Sequence, residues 1–150
     1  MKIRIITKSE EETFNLALKL ANSCKGGEVF CLNGDLGVGK TVFSKGFANG
    51  LGIEEPITSP TFSIVNIYSG INYKLYHFDV YRIEDISELY EVGYYEYIED
   101  NNICLIEWGS NIKEELPDDT IFINIKKDIE KGINYRIIEI ETDKHEYIIN

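Results

Sequence analysis

Apolar and polar positions alternate along this chain in short runs that predict strands and helices in turn. Lys2 to Thr7 is short and β-branched, as strands are. Ser9 followed by Glu12 forms a capping box, and Phe14, Leu16, Leu18, Leu20 and Ala21 give the next stretch a largely apolar face, predicting a helix from Glu10 to Cys24 that ends at Gly26-Gly27. Val29 to Leu32 is a compact apolar run of the kind that fills a strand buried on both faces. A glycine-rich turn and a second helix, Lys40 to Leu51, follow.

From Ile57 the pattern changes to two extended runs, Thr61 to Tyr68 and Lys74 to Ile83, joined by Ser69-Gly70-Ile71-Asn72. That connection predicts a β-hairpin, hence an antiparallel portion of sheet. Asp85 with Glu88 is an N-cap signature ahead of Ile86, Leu89, Tyr90, Tyr94 and Tyr97, which share a helical face, and Gly93 is placed to split that helix. Asn102 to Trp108 reads as a central strand, and Thr120 to Lys126 and Tyr135 to Glu141 as two more. The sum is an α/β sandwich around a mixed parallel/antiparallel sheet, in a single domain spanning residues 1–150.

Composition narrows the classes. The hydrophobic fraction of 43% is too high for a disordered chain, and 26 acidic against 15 basic residues give a net charge of −11. Such a balance argues against a stand-alone nucleic-acid binder, whose affinity rests on Lys and Arg. No stretch approaches the ~18 apolar residues of a membrane span, and no signal-peptide run follows the first residues, so the expectation is a cytoplasmic protein. Cys24, Cys31 and Cys104 lack the pairing or spacing of a disulfide framework or a zinc site.

Gly34-Asp35-Leu36-Gly37-Val38-Gly39-Lys40-Thr41 fits the phosphate-binding P-loop pattern between a predicted strand and a predicted helix, which makes the expected α/β fold a P-loop NTPase-like three-layer sandwich. Glycines let backbone N–H groups approach phosphate oxygens, and the helix N-terminus adds aligned donors. Lys40 is the cation for the β and γ phosphates, and the Thr41 hydroxyl is placed for Mg²⁺. Two carboxylates are candidate partners. Glu107 closes an apolar run at the C-terminal end of a strand, where α/β sheets bind ligands. Asp79 shares a strand face with His77 and Tyr81 by the two-residue period. The plain alternative for either acid is a structural hydrogen bond, and His77 alone reads as a structural histidine. Residues 84–100 hold seven acids and no basic residue, either a solvated face or a dock for a basic partner.

The P-loop, Ser59-Pro60-Thr61-Phe62, His77-Phe78-Asp79-Val80-Tyr81-Arg82 and Leu105-Ile106-Glu107-Trp108 together resemble the TsaE (formerly YjeE) family, small bacterial ATPases needed for threonylcarbamoyladenosine in tRNA. The resemblance covers Ser9 to Pro117. It implies ATP as ligand, Thr41 and Glu107 on Mg²⁺, and Asp79 near the γ-phosphate and needed for hydrolysis. It further implies a nucleotide-sensing loop at Ser59 to Phe62, a supporting Trp108, and action on a heterodimer of TsaD and TsaB to reset it between cycles, with tRNA engaged only indirectly. Val38, Ser110 and Ile133 depart from the family pattern, which leaves Arg136 as the candidate for a late nucleotide contact. Glu10 and Thr13 are expected to border the base. A small-molecule kinase is the competing class, against which stand only three arginines (Arg4, Arg82, Arg136) and no lid-like segment. A nucleotide-sensing module without turnover is the third.

Overall fold

The computed structural model describes residues 1–35, 37–60 and 63–149. Its strands are β1 (Lys2–Thr7), β2 (Val29–Asn33), β3 (Val65–Ser69), β4 (Lys74–Asp79), β5 (Ile103–Glu107), β6 (Ile121–Lys127) and β7 (Arg136–Glu141). Helices α1 (Glu10–Asn22), α2 (Lys40–Gly50), α3 (Ser87–Glu91) and α4 (Tyr94–Glu99) are joined by 3-10 segments at Gly109–Glu115 and Glu146–Ile149. All seven strands form one sheet in the order β1-β7-β6-β2-β5-β4-β3. Its centre is parallel, with β6, β2, β5 and β4 side by side, and its flanks are antiparallel.

The apolar runs sort by face. On one side Phe30, Leu32, Leu75, Ile103 and Leu105 pack beneath α1 and α2; on the other Val29, Tyr76, Phe78, Cys104 and Ile106 meet Leu89 of α3 and Tyr94 of α4. Both faces of β2 and β5 are therefore covered, which is why their sequences are continuously apolar. No helix among the described residues is long and apolar enough to cross a membrane.

The predicted elements need two adjustments. The first hairpin strand begins at Val65, after Ile64 at φ 65°, and the expected strand residues Thr61 and Phe62 lie outside the described residues. The second strand stops at Asp79: Val80 N–H still reaches the Glu107 carbonyl of the neighbouring strand, but Ile83 N–H then closes a turn on Val80. Tyr81 consequently leaves the strand face it was expected to share with His77 and Asp79. As expected, the tyrosine-rich helix is split at Gly93, whose φ of 83° ends α3 and starts α4.

Helices α1 and α2 lie so close that a Cβ on Gly46 would sit 2.2 Å from the Phe14 carbonyl oxygen. Alanine is the better helix former by about 1 kcal/mol, but the opposing atom is backbone and cannot step aside. Forcing extra volume into such a contact costs about 1–3 kcal/mol and often more. Gly46→Ala is expected to lower the urea midpoint, with a net loss of at least about 1 kcal/mol. An unchanged or higher midpoint would show that α1 and α2 pack less tightly.

Candidate functional site

The parallel register aligns three strand ends: Leu32 of β2 stands beside Glu107 of β5, and Glu107 beside Asp79 of β4. Residue period two turns Asp79 and Glu107 to the face that carries α2. The P-loop rises from β2 and enters α2 through Gly39, whose φ of 107° suits glycine. No side chain caps α2, so its first N–H groups face the cleft as open donors.

Lys40 occupies the centre. It is only 6% exposed, and its Nζ has no hydrogen-bond partner among the described residues. The ammonium instead lies 3.6 Å from the centroid of the Trp108 ring, a cation–π contact. Burial lowers its pKa, against the upward pull of Glu107, Asp79 and Asp35. Trp108 is held at φ 62°, and its N–H donates to the Leu32 carbonyl. The following glycine is pressed so closely on β2 that a Cβ on Gly109 would meet Cys31 Sγ at 2.4 Å. Tyr81, displaced from its strand, packs on the indole at 4.8 Å between centroids.

The two acids differ. Glu107 is 4% exposed and its Oε2 lies 2.6 Å from His77 Nε2. Asp79 accepts a 3.0 Å bond from Tyr81 N–H through Oδ1. Burial raises the Asp79 pKa above its ordinary range; the Tyr81 N–H opposes this, Glu107 adds to it, and Lys40 lowers it.

Lys40, Thr41, Ser59, Asp79, Glu107 and Trp108 line one cleft of about 430 Å³. Beside it, Ser9, Glu10, Thr13, Val42, Asn134 and Arg136 line a pocket of about 70 Å³ against the P-loop. Arg136 donates from Nε to the Val38 carbonyl at 2.7 Å, and from Nη1 to the carbonyls of Ile133 and Tyr135. It thus braces the loop that it was expected to help in holding a nucleotide. Gly37 and Gly39 border both spaces, Val38 is buried and contributes backbone, and Asp35 is exposed at the loop's start. Leu36 lies outside the described residues. The groups present suit magnesium and a polyphosphate: a hydroxyl and a carboxylate as hard oxygen donors, an unpartnered buried ammonium and an uncapped helix start. No group of three or more His, Cys, Asp or Glu placed to hold a metal ion occurs among the described residues.

A family model described as "Threonylcarbamoyl adenosine biosynthesis protein TsaE" matches residues 7–137. The chain belongs to the TsaE family. It is 42% identical to the tRNA threonylcarbamoyladenosine biosynthesis protein TsaE of Bacillus subtilis (strain 168), over 96% of each chain. The TsaE of Treponema pallidum (strain Nichols) is 38% identical over 83% of this chain and 91% of its own. The crystal structure of Bacillus subtilis YdiB superposes with a TM-score of 0.78 at 36% identity, covering 99% of this chain and 90% of that one.

In this TsaE-family chain, the residue that sequence reasoning undervalued is His77. Its place beside Asp79 on one strand face was readable from the period of two, but its contact with Glu107 depends on β4 and β5 being neighbours, which adjacency in sequence does not reveal.

The raised Asp79 pKa means that the folded chain binds this proton more tightly than the unfolded chain. Its contribution to stability therefore falls as pH rises from the ordinary aspartate range through the raised value. Asp79→Asn can keep the bond from Tyr81 N–H and removes the ionisation, so its melting temperature should exceed that of the parent at pH 7. The gap should close as pH drops below the ordinary aspartate range. A lower melting temperature at pH 7 would mean that Lys40 stabilises the carboxylate more than burial penalises it.

Proposed function

We propose that this chain is a Mg²⁺-dependent ATPase of tRNA threonylcarbamoyladenosine biosynthesis that acts on the TsaD–TsaB complex and resets it between cycles. The family description and the names of its relatives support the role in that biosynthesis. The observation that carries the ATPase reading is the Lys40 ammonium, buried without a hydrogen-bond partner at an uncapped helix start and facing two carboxylates across a shared cleft. A buried cation lacking a partner is costly, and a phosphate oxygen would supply one.

Phosphates would take the open N–H groups of α2 and the P-loop, with Lys40 leaving the Trp108 ring for the β and γ oxygens. Thr41 and Glu107 would hold magnesium, which would neutralise developing phosphate charge. Asp79 Oδ1 is tied to Tyr81 N–H, and Oδ2 takes no hydrogen bond from a described residue, so this oxygen is the one to orient the attacking water. Glu10 and Thr13 border the adjoining pocket, as a base or ribose contact requires. Arg136 has Nε and Nη1 committed to backbone carbonyls. An arginine supplied in trans is a common accelerator of phosphoryl transfer, so hydrolysis is expected to be slow alone and faster with partners.

Lys40→Ala should weaken ATP binding about 10- to 100-fold by calorimetry, the worth of a charged hydrogen bond. Asp79→Ala and Glu107→Ala should keep much of the binding yet lose at least about 10²-fold in phosphate release. Phosphate release should rise on adding purified TsaD and TsaB. A phosphorylated small-molecule acceptor appearing in place of free phosphate would establish a kinase instead.

A further inference from the structure

His77 stands on β4 on the same sheet face as Asp79 and Glu107, where the neighbouring positions Leu75, Ile103 and Leu105 are apolar core. The side chains of His77 and Glu107 are 1% and 5% exposed. Against a carboxylate the imidazole Nε2 carries hydrogen and donates, here over 2.6 Å. Nδ1 is buried with no hydrogen-bond partner. Among the described residues this is the one side-chain hydrogen bond that Glu107 makes.

Stability explains this pair poorly. A buried histidine–carboxylate contact rarely outperforms apolar residues of equal volume, and a network selected for stability would satisfy Nδ1 as well. What the contact does achieve is orientation. It ties Oε2 back into the sheet, while Oε1 receives no hydrogen bond from a described residue and Glu107 lines the cleft with Thr41. Groups that hydrogen-bond a metal-ligating side chain typically change metal affinity by 10- to 100-fold.

We propose that His77 is the positioning residue of the magnesium site, anchoring Glu107 Oε2 through Nε2 so that Oε1 is presented to the cation. The proposal rests on Glu107 being the magnesium-holding carboxylate, and its test separates the two. The readout is the gain in affinity for a non-hydrolysable ATP analogue, AMP-PNP, between EDTA and saturating Mg²⁺, measured by calorimetry on the full chain. A His77→Leu variant should lose about tenfold or more of that gain, with affinity in EDTA within about twofold of the parent. His77→Gln, whose amide nitrogen reaches the place of Nε2, should restore most of it. His77→Asn, whose amide reaches only the place of Nδ1, should behave as His77→Leu does. The Gln and Asn pair keeps the test open should the Leu variant fail to fold.

A magnesium gain equal to the parent's in His77→Leu or His77→Asn, while Glu107→Ala loses it, would overturn the positioning role and leave Glu107 in place. If Glu107→Ala also retained the full gain, the assignment of Glu107 would fall, and His77 with it.

Discussion

The site is organised around one uncomfortable charge. An ammonium taken out of water and given an indole face in place of hydrogen-bond acceptors has its ordinary protonation disfavoured, and Lys40 is held in that condition by the packing around α2. The surrounding features follow from the need to keep such a cation useful. Three carboxylates temper its desolvation, Glu107 and Asp79 from within the shared cleft and Asp35 from the loop's start. Neither cleft carboxylate hydrogen-bonds the ammonium; Glu107 Oε2 meets His77 and Asp79 Oδ1 accepts from a backbone amide. A ligand that brings phosphate oxygens would relieve the cation and the open helix start together.

Parallel pairing is what makes this arrangement possible. With β2, β5 and β4 running in one direction, their C-terminal ends reach the same edge, and the turns that follow point into a common space. The two-residue alternation then assigns each end residue to a face. Leu75, Ile103 and Leu105 build the core under α1 and α2, and the last positions of the same stripes become Asp79 and Glu107. Core and site are thus one continuous surface that changes from apolar to acidic where the strands end.

Strain is concentrated at that edge. Trp108 takes a positive φ immediately after Glu107, and at the next residue, Gly109, a Cβ would run into the Cys31 thiol of β2. That turn swings the indole over Lys40 and gives Tyr81 a surface to pack against. Arg136 performs a related service from the other flank, bonding the Val38 carbonyl to carbonyls of the segment before β7. The P-loop is therefore supported from both sides by residues distant in sequence.

By itself, the sequence determined the local elements and picked out most of the side chains that line the candidate site. The capping box at Ser9, the P-loop between an apolar strand and a helix, and the acid closing the run before Trp108 are short-range patterns, legible because caps, glycine turns and burial leave their mark within a few residues. Only the tertiary structure decided that β4 lies beside β5, that Asp79 ends its strand and sends Tyr81 to the indole, and that His77 meets Glu107. It likewise decided that Arg136 holds the P-loop backbone. Those outcomes depend on which strands become neighbours and on where a backbone amide finds its acceptor. Both are choices among long-range pairings that the residues concerned do not encode one at a time.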